Sequence, residues 1–121
     1  MEKLLDFLKC ISDENRLKIL KLLLDTEYCV CQLQQLLDKS QSSVSQHLSY
    51  FKKLDLLNEE KNRKWSYYCI NRSVYDKYLA KLVSLKALSL DELSMLELKN
   101  NIEHLDTTAE IRTDNQTKGC C

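Results

Sequence analysis

"SQSSVSQHLSYFKKL", Ser40 to Leu54, is the stretch on which the fold turns. Val44, Leu48 and Phe51 recur at helical spacing, so a helix from Gln41 to about Leu54 is expected, with those three facing a core. Ser40 is a residue type that caps helix N-termini. The remaining positions carry Gln41, Ser42, Ser43, Ser45, Gln46 and His47. Small hydroxyls, amides and an imidazole fit a major groove, where they bond base edges and phosphates. The helix N-terminus adds backbone N–H groups that favour phosphate. The same residues could equally make a solvated helix face, so the flanking sequence has to decide.

Upstream, Cys29, Val30, Leu33, Leu36 and Leu37 predict a short helix, and "DKS" a tight turn into Ser40. Before that, Leu17, Ile19, Leu20, Leu23 and Leu24 make a helical face capped by Ser12 or Asp13, and Leu4, Leu5, Leu8 and Ile11 make another. Downstream, "LLNEEKNRKWSYYCIN" alternates loosely through Trp65, Tyr67, Tyr68 and Ile70, with a hairpin tip at Asn62–Arg63. Short helices, a tight turn, a polar-faced helix and a hairpin together predict a winged helix-turn-helix, mostly α with a small β-hairpin wing. Arg63 and Lys64 in the wing are then candidate phosphate contacts.

A longer helix is expected over about 73–88, with Val74, Tyr78, Leu79, Leu82, Val83 and Leu85 inward, and another beginning at Ser89 or Asp91. The stretch 106–121 is polar, lacks periodicity and is expected to be disordered. The domain reading is 1–88 for DNA binding and dimerisation, 89–105 for an additional helix, and 106–121 for a tail ending in Cys120 and Cys121. The Val74–Leu85 stripe, with Leu4, Leu5 and Leu8, exceeds what one small winged domain needs. A two-fold dimer through the terminal helices, binding an inverted repeat of double-stranded operator DNA, is expected.

Composition agrees with this reading. The 121 residues contain no proline and one glycine, Gly119, as suits a largely helical chain. Lys+Arg and Asp+Glu are both 18, yet residues 39–72 hold seven basic against three acidic side chains. A neutral chain therefore has a basic reading segment. Six cysteines could mean a secreted disulfide scaffold. The opening "MEKLLDFLKC" lacks the apolar centre of a signal peptide, and the chain is long enough to bury a core without staples. Reduced thiols and a cytoplasmic location are expected. No apolar run reaches the roughly 18 residues that span a membrane. No C-x-x-C, parallel βαβ pattern or catalytic His/Asp constellation points to an enzyme.

Four segments, "CISDENRLKILKLLL", "EYCVCQLQQLL", "SQSSVSQHLSYFKKLDLL" and "RKWSYYCIN", occur in order and at spacing that resembles the ArsR/SmtB metal-sensing repressors, over roughly residues 1–88. Glu14 and Cys10 stand where that family usually has proline and alanine, and the wing glycine is missing, with Asn62 nearby. The resemblance implies a homodimer that represses a promoter and leaves its DNA on binding an inducer.

Cys29 and Cys31 are the inducer candidates. In a regular helix such residues lie about 200° apart, so the first turn would have to distort to bring both thiolates to one ion. Soft thiolates favour As(III), Sb(III), Cd, Pb or Zn. In the resembling family a "CVC" motif goes with arsenite and antimonite sensing in one branch, which puts this chain with the arsenical-resistance repressors. In a cadmium and lead branch it is joined by cysteines of an N-terminal extension. The arsenite branch completes a trigonal site with a cysteine three residues on, where this chain has Gln34. Cys120 and Cys121 are the candidate replacement donors, since a flexible tail of this length spans roughly 20 Å. A repressor responding to Cd, Pb or Zn, or switched by thiol oxidation, is the alternative. Cys10 and Cys69 are expected in the core, and His104 in solvent.

Overall fold

The computed structural model describes residues 2–92 and 95–105. Residues 106–121, including Cys120 and Cys121, lie outside that description. The chain divides into two compact units, Met1–Ala87 and Leu88 onward.

In the first unit the order is α1 (Glu2–Ile11), α2 (Glu14–Asp25), β1 (Tyr28–Cys29), α3 (Val30–Leu37), α4 (Gln41–Lys53), β2 (Leu57–Asn62), β3 (Trp65–Ile70) and α5 (Arg72–Val83), closed by a 3-10 turn at Ser84–Lys86. The strands form one antiparallel sheet in the order β1-β3-β2. This is the winged helix-turn-helix that the pattern predicts: α3, a short turn, α4, and the β2–β3 wing.

Local chemistry places the helix starts. Asp13 caps α2, its side chain accepting from the Arg16 backbone N–H at 3.1 Å. Ser40 caps α4 by accepting from the Ser43 N–H at 3.1 Å, and Asn71 caps α5 by accepting from Val74. Each cap satisfies a donor that the first helical turn cannot. Three corners use a left-handed backbone without glycine: Asp38 after α3 (φ 54°), Asp55 after α4 (φ 58°) and Arg63 at the wing tip (φ 60°).

The core joins Leu4, Phe7 and Cys10 of α1, Ile19, Leu20 and Leu23 of α2, Leu33 of α3, Val44, Leu48 and Phe51 of α4, and Leu56, Tyr68 and Ile70 around the wing. Full burial of each large apolar side chain contributes about 1.5–3 kcal/mol before entropy is counted. Val44, Leu48 and Phe51 point inward as their spacing requires. Phe7 stacks on Tyr78 with centroids 4.7 Å apart, which fastens α1 to α5.

Several expectations need correction. Leu5 and Leu17 are exposed, because α1 turns Leu4, Phe7 and Cys10 inward and α2 turns Ile19, Leu20 and Leu23 inward. Cys29 is not helical; with Tyr28 it forms a short strand, the two pairing with Tyr67 and Tyr68. The wing turns at Arg63–Lys64, one residue later than expected, because Asn62 still pairs with Trp65. The α5 helix ends at Val83. Val74 and Tyr78 pack on the core, but Leu82, Val83 and Leu85 are exposed. In the second unit the described helix, α6 (Leu96–Glu103), begins later than Ser89 or Asp91.

Candidate nucleic-acid interface and thiol cleft

The reading helix presents Gln41, Ser42, Ser45 and Gln46 to solvent, while Ser43 and His47 are half-buried. Ser40 is exposed and divided between capping Ser43 and a 3.2 Å contact with the Ser42 hydroxyl. At the C-terminal end Lys52 and Lys53 lie over the rings of Tyr68 and Tyr50, at 5.1 and 5.5 Å from their centroids. Arg63 and Lys64 stand exposed at the wing tip, with Lys64 Nζ 5.9 Å from the Trp65 ring centroid. The candidate DNA contacts therefore fall on two elements of one unit, the exposed face of α4 and the tip of the wing.

The thiol pair has a geometry that helical periodicity does not suggest. Cys29 is the residue before α3, with φ −91° and ψ 169°, and Cys31 lies in the first turn. An extended residue does not follow the helical wheel, so the 200° separation does not apply. Cys29 is buried and Cys31 exposed, yet both line one cleft of about 360 Å³ with Gln34, Gln41, Lys64, Trp65 and Tyr68. The backbone N–H of Cys29 donates to Gln32 Oε1 at 3.0 Å, which fixes the start of α3. Both thiols are free.

Two soft sulfurs on one cleft fit a thiophilic ion in donor type. They do not fill a three-coordinate site: no group of three His, Cys, Asp or Glu that could hold an ion occurs among the described residues. Gln34 lines the same cleft.

The other cysteines stand apart from this cleft. Cys10 is buried beside Arg16, and burial pushes its thiol pKa up against the pull of the Arg16 charge. Cys69 is half-buried in β3, and His104 is exposed. Sequence reasoning missed Arg16, which donates through Nε to the Cys10 carbonyl at 2.6 Å and lies with its guanidinium carbon 4.1 Å from the Tyr50 ring centroid. It also missed Trp65 and Gln41 as walls of the thiol cleft. No periodicity marks such contacts, because they join residues distant in sequence.

Residues 13–59, from the α2 cap through the first wing strand, match the family described as bacterial regulatory protein, arsR family. Over a longer span, reduced HlyU from Vibrio cholerae has 31% sequence identity and a TM-score of 0.57, with 73% of this chain and 92% of that chain covered. The chain belongs to the ArsR family. Family members include the cadmium resistance transcriptional regulatory protein CadC of Listeria innocua, 43% identical over 65 residues, or 53% of this chain and 55% of that protein. The arsenical resistance operon repressor of Escherichia coli K12 is 43% identical over 61 residues, or 50% and 52%. The chain thus spans about half the length of the curated ArsR-family relatives it matches. The matched family is described as one of bacterial regulatory proteins, and the relatives named here are described as a transcriptional regulator and an operon repressor. Among the described residues, no helix is long and apolar enough to cross a membrane.

Proposed function

We propose that the protein is a cytoplasmic, homodimeric repressor that holds double-stranded operator DNA with α4 and the wing and is released by a thiophilic ion at Cys29 and Cys31. The observation that carries this reading is the shared cleft: both cysteines line it together with Gln41 of the reading helix and Lys64 of the wing. An occupant of the thiol pair sits against groups that DNA needs. Ser40, Gln41, Ser42, Ser43, Ser45, Gln46 and His47 supply the reading surface, and Arg63 and Lys64 the phosphate contacts.

Trivalent arsenic or antimony is the favoured inducer. Such an ion takes three sulfurs in a pyramid, so the pair needs one more. Cys120 or Cys121, or a small cellular thiol, supplies it. A repressor responding to cadmium, lead or zinc is the second reading, favoured by the 43% identity to CadC. The exposed Leu82 and Val83 at the end of α5, with Leu85 just beyond, support a partner subunit there.

The test is fluorescence anisotropy on the DNA upstream of the gene, under strictly reducing conditions, titrated with arsenite, antimonite, Cd, Pb and Zn. Release by arsenite or antimonite supports the first reading, and release by Cd, Pb or Zn alone the second. Release only by oxidant, with none by any ion, assigns the pair to a redox switch.

A further inference from the structure

The Arg16 side chain, on α2, reaches both α1 and α4. Its Nε donates to the Cys10 carbonyl of α1, at 2.6 Å. That carbonyl belongs to the last turn of α1, where intrahelical donors run out. Its guanidinium lies 4.1 Å from the Tyr50 ring centroid on α4. Its Nη1 is 3.3 Å from His47 Nδ1, also on α4, and its own backbone N–H is held by Asp13 at the start of α2.

The contact to His47 has only one chemical solution. A guanidinium has five N–H donors, no acceptor, and stays charged at any ordinary pH. Taken as a hydrogen bond, the 3.3 Å contact makes Nδ1 the acceptor, without a proton. A neutral imidazole has one proton, which is then on Nε2. Among the described residues no acceptor engages Nε2. On the reading helix, one turn beyond Ser43 and next to Gln46, this leaves a donor without a protein partner.

We propose that Arg16 is a positioning residue for DNA reading: it locks His47 in the Nε2–H tautomer, so that the imidazole offers DNA a donor rather than an acceptor. The natural target is a purine N7, a guanine O6 or a phosphate oxygen, all of which accept. Arg16 acts through His47 and does not itself meet DNA. The inference rests on the reading of α4 as the DNA-binding helix.

Two measurements on the full chain test it. Two-bond ¹H–¹⁵N spectra at pH 8, with the two histidines told apart by His104→Asn, report the tautomer directly. Nδ1 bare and Nε2 protonated is expected, with a mixture of tautomers in Arg16→Gln. A proton on Nδ1 in the wild type would overturn the proposal, and so would an imidazolium, which would assign the ring to the Asp13 carboxylate. Operator affinity supplies the second measurement. Arg16→Gln and His47→Ala each weaken it about tenfold, and the double variant no further, because both remove one donor. Additive losses, about a hundredfold together, would show that Arg16 acts elsewhere. Should Arg16→Gln not fold, the wild-type spectrum still decides the tautomer. Failure of the wild type to bind any upstream DNA would remove the DNA reading and leave the tautomer result standing.

Discussion

Cys29 lies directly opposite Tyr67 in the β1–β3 ladder. The residue that begins the thiol pair is therefore hydrogen-bonded into the sheet through one strand of the wing. Movement of its backbone has to be felt by β3, whose other edge pairs with β2 and leads to Arg63 and Lys64. A difference in how the two states treat this one rung is enough to bias DNA binding.

Cys29→Ser and Cys31→Ser are expected to bind operator DNA with unchanged affinity and to lose release by arsenite. Anisotropy titrations of both variants against wild type decide this. Release of the double variant at the wild-type arsenite concentration would make the pair structural. Removing Cys120 and Cys121 should raise the arsenite needed without abolishing release.

Trp65 is the chain's only tryptophan, and it lines the cleft that holds both thiols. Its emission should change on titration with the inducing ion and should stay constant in the Cys29→Ser/Cys31→Ser variant. An equal change in both would place the ion elsewhere.

Gln46→Ala should weaken specific binding by about 1–3 kcal/mol if the amide reads a base. Lys64→Ala should weaken all sequences alike and lower the salt slope by about one. Binding isotherms on operator and scrambled DNA at several salt concentrations separate the two. Unchanged operator preference in Gln46→Ala would end its role in base readout.

Val83→Glu, at the exposed end of α5, should weaken self-association measured by light scattering. A wild type that is monomeric at micromolar concentration, both free and on DNA, would contradict the dimer.

The Arg16 backbone N–H holds the Asp13 carboxyl below its ordinary pKa of 3.8, with the Arg16 charge adding to the effect. A carboxylate so depressed stabilises the fold at pH values above 3.8 and loses that contribution as pH falls through the lowered value. Asp13→Asn, which still caps, should flatten this acid limb in urea unfolding followed between about pH 5 and pH 2. An unchanged limb would show that titration of Asp13 is not coupled to folding.

The reading head was legible because periodicity and capping act locally: Val44, Leu48 and Phe51 point inward and Ser40 caps, all within one helix. What failed was set by distant partners. Cys29 looked helical because its neighbours are, yet β3 offered it a ladder bond and the strand won. The spacing of Leu82, Val83 and Leu85 continues the inward stripe of α5, yet all three are exposed in the first unit. The thiol cleft was half legible. Both cysteines stand out in the sequence, whereas Gln41, Lys64 and Trp65 reach the same cleft only through the fold.

Arg63 holds a left-handed backbone that glycine would adopt freely and that costs other residues about 1–2 kcal/mol. Asp38 and Asp55 sit in the same region at the ends of α3 and α4, outside the candidate reading surface. For an engineer these three corners are not equivalent. Glycine at 38 or 55 offers thermostability with little at stake, whereas glycine at 63 trades a guanidinium for relaxation of the wing tip. The wing is thus the place where selection for a sturdier chain and selection for a tighter grip pull in opposite directions.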